Sequence, residues 1–220
     1  MVKLWFQIWI RPRATIRQAV SMGALPAAAF FAMASGVVQS FVTAANQHVG
    51  AGTSAPLIVL IAFVVGSVWG LFQLGLLTTV LHIVGRWTTT PGSFWDLCTA
   101  VGWSSVPVTA ALPLWLVATT ILGRLLFIDP QQVAWTRLSH MLLVAAVAVG
   151  TAICLAWWWI VLAKAVAEVR QITTWSATGH LVLALGLIGL AALFLTVVGM
   201  LAVRLFHGGP THPESTVLRL

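Results

Sequence analysis

Apolar residues run almost without charge through five stretches of this chain, 21–45, 55–84, 97–123, 138–163 and 178–206. A hydrocarbon core about 30 Å thick is crossed by about 20 helical residues, and each stretch is at least that long. The pattern therefore predicts an all-α membrane protein, a five-helix transmembrane bundle with little polypeptide left outside the bilayer. The short polar groups between the stretches carry turn and cap signals. In the second connection Pro91-Gly92 reads as a turn, and Ser93 followed by Asp96 reads as a capping box that starts a helix near Phe94. In the third, Asp129, Pro130 and Gln132 read as N-cap, first-turn proline and capping partner of a short interfacial helix over 130–137.

The ends divide off from this block. Residues 1–20 read as an arm: Leu4, Trp5, Ile8 and Trp9 share one helical face, as in a short N-terminal interfacial helix, and Pro12 breaks or restarts it. Residues 21–206 form the five-span block, and 207–220 a polar, Gly/Pro-bearing tail expected to be flexible. No cleavable signal pattern is expected, because the first apolar run is too long for a signal h-region.

Inside the spans, small residues recur at four-residue spacing. Ala24, Ala28, Ala32, Gly36, Ser40 and Ala44 form an unbroken ladder on the first, and Ala62, Gly66 and Gly70 repeat it on the second. Such stripes let membrane helices approach closely. These two either pack on each other or meet a second copy of the chain. The fourth span repeats the pattern more weakly at Ala148, Ala152 and Ala156. The third contains Pro107 and Pro113, which free backbone groups and kink a helix; Ser104, Ser105, Thr109 and Thr119 can satisfy what is freed.

Composition and charge give an expected threading. Hydrophobic residues make up 60% of the chain and charged residues 7%, far below the roughly 25% of soluble domains, so a water-soluble core is excluded. The formal charge of +7 does not imply nucleic acid, because the cations sit at helix ends, where anionic lipid head groups account for them. With five spans, Lys3, Arg11, Arg13, Arg17, Arg86, Lys164 and Arg170 fall on one side, and Arg124, Arg137, Arg204 and Arg219 on the other. The positive-inside rule then expects the N-terminus in the cytoplasm and the C-terminus outside. Tryptophan agrees, since Trp5, Trp9, Trp87, Trp95, Trp157, Trp158, Trp159 and Trp175 crowd the first side, with Trp135 near the other.

Candidate chemistry is sparse. The acids are Asp96, Asp129, Glu168 and Glu214, none near a span centre, which weakens a proton-coupled carrier. Arg13 and Arg17 lie four apart, so on a helix they share a face and can clamp a phosphate or an acidic group. Together with Trp95, Arg86, Glu168 and Arg170 they are the candidate site for a lipid head group or a partner. Glu168 can pair with Lys164 on its own helix, or reach Arg13, Arg17 or Arg86 and pin the arm. His82 with His180, and His48 with His140, fall at paired depths, as the ligands of bis-His haems do, but His48 lies in a loop and interfacial hydrogen bonding is the plainer reading. Cys98 and Cys154 make no disulfide or metal spacing. No nucleophile elbow, Walker loop or dinucleotide fingerprint occurs, so no catalytic residue, metal or cofactor is expected.

Three segments occurring in order resemble the Yip family, the Ypt/Rab-interacting membrane proteins, in its bacterial branch. They are Arg11-Pro12-Arg13-Ala14-Thr15-Ile16-Arg17, then Pro91-Gly92-Ser93-Phe94-Trp95-Asp96 leading to Val106-Pro107, then Lys164 to Arg170 followed by Trp175-Ser176-Ala177. The resemblance implies a five-helix bundle, a cytoplasmic N-terminus and a noncatalytic role. Eukaryotic members bind small GTPases or shape membranes; the short arm here leaves little surface for a GTPase. The expectation is a noncatalytic scaffold or lipid-organising protein of a bacterial inner membrane. It would meet the bilayer and its anionic lipids, and another membrane protein or itself as a homo-oligomer. The alternative is a small transporter or channel built on the kinked third span, with Ser104, Ser105 and Thr109 lining a path and Gln39 and Gln73 adding polar contacts.

Overall fold

The computed structural model describes residues 2–88, 92–129 and 138–207, and among these every regular element is helical. In chain order they are α1 (Val2–Gln7), α2 (Pro12–Ser21), α3 (Leu25–Asn46), α4 (Ala55–Trp87), α5 (Phe94–Ser104), α6 (Val106–Thr109), α7 (Leu112–Leu122), α8 (Leu138–Arg170) and α9 (Thr174–His207). Two 3₁₀ turns, Val49–Ala51 and Gly123–Phe127, join α3 to α4 and follow α7. Five segments are long and apolar enough to cross a membrane: α3, α4, the α5–α7 series to Phe127, α8, and α9 to Arg204. The protein is a multi-pass membrane protein. The short helix expected over 130–137, the Pro91 turn and the tail beyond His207 lie outside the described residues.

The sequence signals for helix starts are met in atomic detail. Pro12 opens α2, and Ser93 caps α5 by accepting the Asp96 amide at 3.1 Å. The first span starts later than its hydropathy suggests. α2 continues to Ser21, Gly23 adopts φ +60°, and the Ala24 amide closes back on the Ala19 carbonyl at 3.0 Å. This is a Schellman-type end, for which a left-handed glycine costs least.

α3 sits at the centre, against α4 along its length and against α5, α6 and α7. The ladders at Ala32, Gly36 and Ser40 on α3 and at Gly66 and Gly70 on α4 pack on each other within one chain. A Cβ on Gly66 would lie 2.7 Å from the Val37 Cα and 2.8 Å from the Gly36 carbonyl oxygen and the Ser40 Oγ. A Cβ on Gly36 would strike the backbone of Gly66 and Gly70, and one on Gly70 the Ala32 carbonyl. Only glycine permits so close an approach. Ala28 meets α5 instead: a Cβ on Gly102 would sit 2.7 Å from the Ala28 carbonyl oxygen. The weaker stripe on the fourth span, Ala148, Ala152 and Ala156, is exposed.

The third span is broken where its prolines predict. Pro107 and Pro113 each stand in the first turn of a new helix, α6 and α7, where their missing N–H costs nothing. Hydroxyls return to the backbone around the breaks: Ser104 to Val101 O at 2.6 Å, Thr109 to Val106 O at 2.7 Å and Thr119 to Trp115 O at 2.8 Å. Two indoles tie this span to its neighbours. The Trp103 Nε1 donates to Ala24 O at 3.2 Å, and the Trp115 Nε1 to the Thr151 hydroxyl at 3.0 Å.

Candidate functional site

The arm folds onto the bundle because its apolar face finds protein. Leu4, Ile8, Ile16 and Ala19 are buried together with Ala100, Trp103, Val161 and Ala165 of α5 and α8. Phe6 and Ile10 stay exposed, while the Leu4 and Ile8 face, expected to lie on the membrane surface, packs on the bundle instead. Burial of Thr15 and Ile16 on one side of α2 leaves Arg13 and Arg17 exposed on the other.

Both arginines are engaged by one junction. The Arg17 Nε lies 2.7 Å from the Glu168 Oε1, the carboxylate being 7% and the guanidinium 74% exposed. That hydrogen bond, and then the charge of Glu168, raise the Arg17 pKa further against a small opposing desolvation, so the guanidinium stays charged. Arg13 donates through Nη2 to the Thr174 hydroxyl at 3.0 Å and to the Ile172 carbonyl at 3.5 Å. Of the open alternatives for Glu168, the structure selects Arg17. Burial of the carboxylate makes the pair asymmetric, because loss of Arg17 strands a charge that water reaches poorly.

The junction is itself rigid. α8 ends with Gln171 at φ +53° and the Ile172 amide bonded to Ala167 O at 3.1 Å, a Schellman closure without glycine. The Gln171 side chain donates to Glu168 O at 2.7 Å, and the Thr173 hydroxyl accepts the Ser176 amide at 3.2 Å to cap α9. Sequence reasoning does not single out Thr174 and Ile172; Thr173 with Ser176 three residues on is the signal that marks this turn.

Arg170 is placed differently from its expected role. It is 3% exposed, and its Nη2 donates to the carbonyl of Leu81 near the end of α4. Gly85 makes the room: a Cβ there would fall on the guanidinium. Arg170 therefore joins the ends of α4 and α8 inside the bundle, where a cation also complements the negative end of a helix. Arg86 and Trp95 are at the surface, and Trp95, Trp87 and Trp175 are 64%, 65% and 86% exposed. They place wide aromatic faces and one more cation on the side of the bundle that carries the arm.

The residues of the proposed path separate. Ser105, Gln39 and Gln73 line one cavity of about 410 Å³ at mid-span, together with Ser35. Ser104 is fully buried and Thr109 half-buried, and both direct their hydroxyls to backbone carbonyls. Pro107 and Pro113 shape the break beside the cavity without lining it. Among the described residues no three His, Cys, Asp or Glu side chains gather into a ligand set. His82 instead stands edge-on to Phe94, with ring centroids 5.8 Å apart.

Comparison with known families finds a correspondence. The Yip1 domain model matches residues 6–198, from the arm to the far part of α9. Neither a curated protein nor a solved structure matches the chain.

Proposed function

The chain belongs to the Yip1 domain family, and from that membership and the arm geometry we propose that it is a noncatalytic scaffold that organises anionic lipid at one membrane face. In this reading it resides in a bacterial plasma membrane with the arm in the cytoplasm, where basic residues are favoured. The observation that carries the proposal is the fixing of Arg13 and Arg17 on the α8–α9 junction while both remain exposed. Arg17 gives Glu168 only its Nε, so its terminal nitrogens keep a fork suited to a phosphate. A binding group held in place before the ligand arrives loses less entropy on binding. Arg86, Trp87, Trp95 and Trp175 extend the same surface.

Native mass spectrometry of the gently solubilised protein tests this. Phosphatidylglycerol should stay bound to the wild type and be lost from the Arg13→Gln/Arg17→Gln variant, with an unchanged elution volume. Equal lipid retention by the variant sinks the assignment of these residues. A stoichiometric protein, or a second copy, lost from the variant instead would make the scaffold's cargo a protein.

The rival reading is a small transporter or channel. The meeting of Ser105, Gln39 and Gln73 in one cavity favours it, while Ser104 and Thr109 are committed to backbone carbonyls. Solute flux in reconstituted vesicles, lost on Ser105→Ala, would favour transport over scaffolding.

A further inference from the structure

The mid-span cavity has an unusual wall for its depth. It opens sideways between the spans, past Trp69 and Phe72 of α4 and Leu155 of α8, which are 47%, 54% and 40% exposed. A molecule dissolved in the bilayer can therefore enter without leaving it. A second hollow of about 550 Å³ shares Gln39 and Trp69 with the first and runs to the α3–α4 loop past Thr43, Gln47 and Thr53. Ser35, Gln39, Thr43 and Gln47 are spaced by four, so they form one polar stripe along α3. The stripe leads from the surface opposite the arm to mid-span, and Gln73 and Ser105 extend its polar end.

The chemistry of the wall selects the ligand. None of the residues lining either hollow is charged, so an ionic head group drawn to this depth would have no counter-charge. What the wall offers is amides and hydroxyls set among aliphatic and indole side chains. Ligand sites are commonly built this way, apolar with a few convergent polar groups, and their volumes run from about 300 to 1,000 Å³. The Gln39 Nε2 already donates to the Ser35 Oγ at 3.4 Å. That leaves its carbonyl oxygen as an acceptor, which calls for a donor on the ligand. The amide of Gln73 supplies a donor in turn.

We propose that the mid-span cavity is a binding site for an uncharged lipid that carries a free hydroxyl beside ester carbonyls, the chemistry of a diacylglycerol. The hydroxyl and carbonyls meet Gln39 and Gln73, and the chains extend through the side opening along Trp69 and Leu155. This site is independent of the arm: it lies at mid-span and uses none of Arg13, Arg17 or Glu168.

The test is photolabelling of the full chain in phosphatidylcholine nanodiscs with a diazirine-bearing dioleoylglycerol, followed by peptide mapping. Label should concentrate on α3 and α4 peptides. Excess dioleoylglycerol should displace it, and neither dioleoylphosphatidylglycerol nor decylubiquinone, which lacks a donor, should do so. Gln39→Leu/Gln73→Leu should cut specific labelling roughly tenfold, the scale of a lost pair of hydrogen bonds. Thr79→Val, outside both hollows, should leave it unchanged. Label spread over all lipid-facing surfaces, or competition by phosphatidylglycerol, overturns the proposal even if the glutamine variant does not fold. Competition by the quinone overturns the hydroxyl requirement. Loss of phosphatidylglycerol from the Arg13/Arg17 variant would leave this result untouched, so the two readings fail separately.

Discussion

The first and last spans are built to opposite rules. The most apolar stretch of α3 has a mean hydropathy of 1.6, and 39% of it is buried; that of α9 reaches 2.8, with only 11% buried. The less apolar helix is thus the inner one. In water this order would be reversed, but lipid is as apolar as leucine and gives helices no hydrophobic reason to associate. What draws α3 inside is its small side chains, which let backbones touch. α9 shows the contrast within one element. Ala177, Leu181 and Ala184 are fully buried on the arm side, whereas every residue from Gly189 to Leu201 is exposed. The far half is greasy all round and packs against little of this chain.

Glycine substitutions break or sharpen this contrast most directly. Gly36→Leu pushes a side chain into the Gly66 and Gly70 backbone, which cannot move aside. A loss of about 3 kcal/mol or more is expected, seen as a collapse in monodisperse yield and melting temperature. Gly189→Leu meets nothing within 4 Å and should melt no lower than the wild type. Equal damage from both substitutions would mean that α9 is packed as tightly as α3.

A smaller effect is expected at the α4–α8 contact. Gly85→Ala displaces the Arg170 guanidinium and costs about 2 kcal/mol, the scale of a hydrogen bond to a charged group. Thermal melting in detergent reads it; an unchanged melt would show that the arginine has another resting place. Smaller again is Thr151→Val, which keeps the shape of the side chain but leaves the Trp115 indole without its acceptor. About 1 kcal/mol is expected, and a neutral result would mean that the indole finds another acceptor.

The same contrast explains what was legible in the sequence. Apolar length placed all five spans, and Ser93, Pro12, Pro107 and Pro113 marked starts and breaks, because these signals act over one or two turns. α8 outran its apolar stretch: the charges at Lys164, Glu168 and Arg170 end the hydropathy signal, yet the helix continues to Arg170 with most of that segment buried. The small-residue ladders announced close packing but left the partner open, since Gly36 can meet Gly66 in its own chain or in another. The arm's amphipathic face reads as a helix lying on the lipid surface, but Leu4 and Ile8 are buried on the bundle, because nothing local in the sequence distinguishes the two apolar partners. Arg170 read as a surface cation because the space at Gly85 that admits it lies far away in sequence. The α8–α9 turn was least legible, because its left-handed residue is Gln171 and no glycine flags it.

In the proposed function, Glu168 holds the arm so that its arginines are presented to anionic lipid. Glu168→Gln separates this from simple charge attraction, because it frees the arm and also removes a negative charge beside Arg17. Phosphatidylglycerol retention by native mass spectrometry, with tryptic cleavage after Arg13 and Arg17 as the report on arm release, reads both consequences at once. Faster cleavage and weaker lipid retention are expected. Faster cleavage with equal or stronger retention would contradict the proposal, and would leave charge alone as the basis of binding.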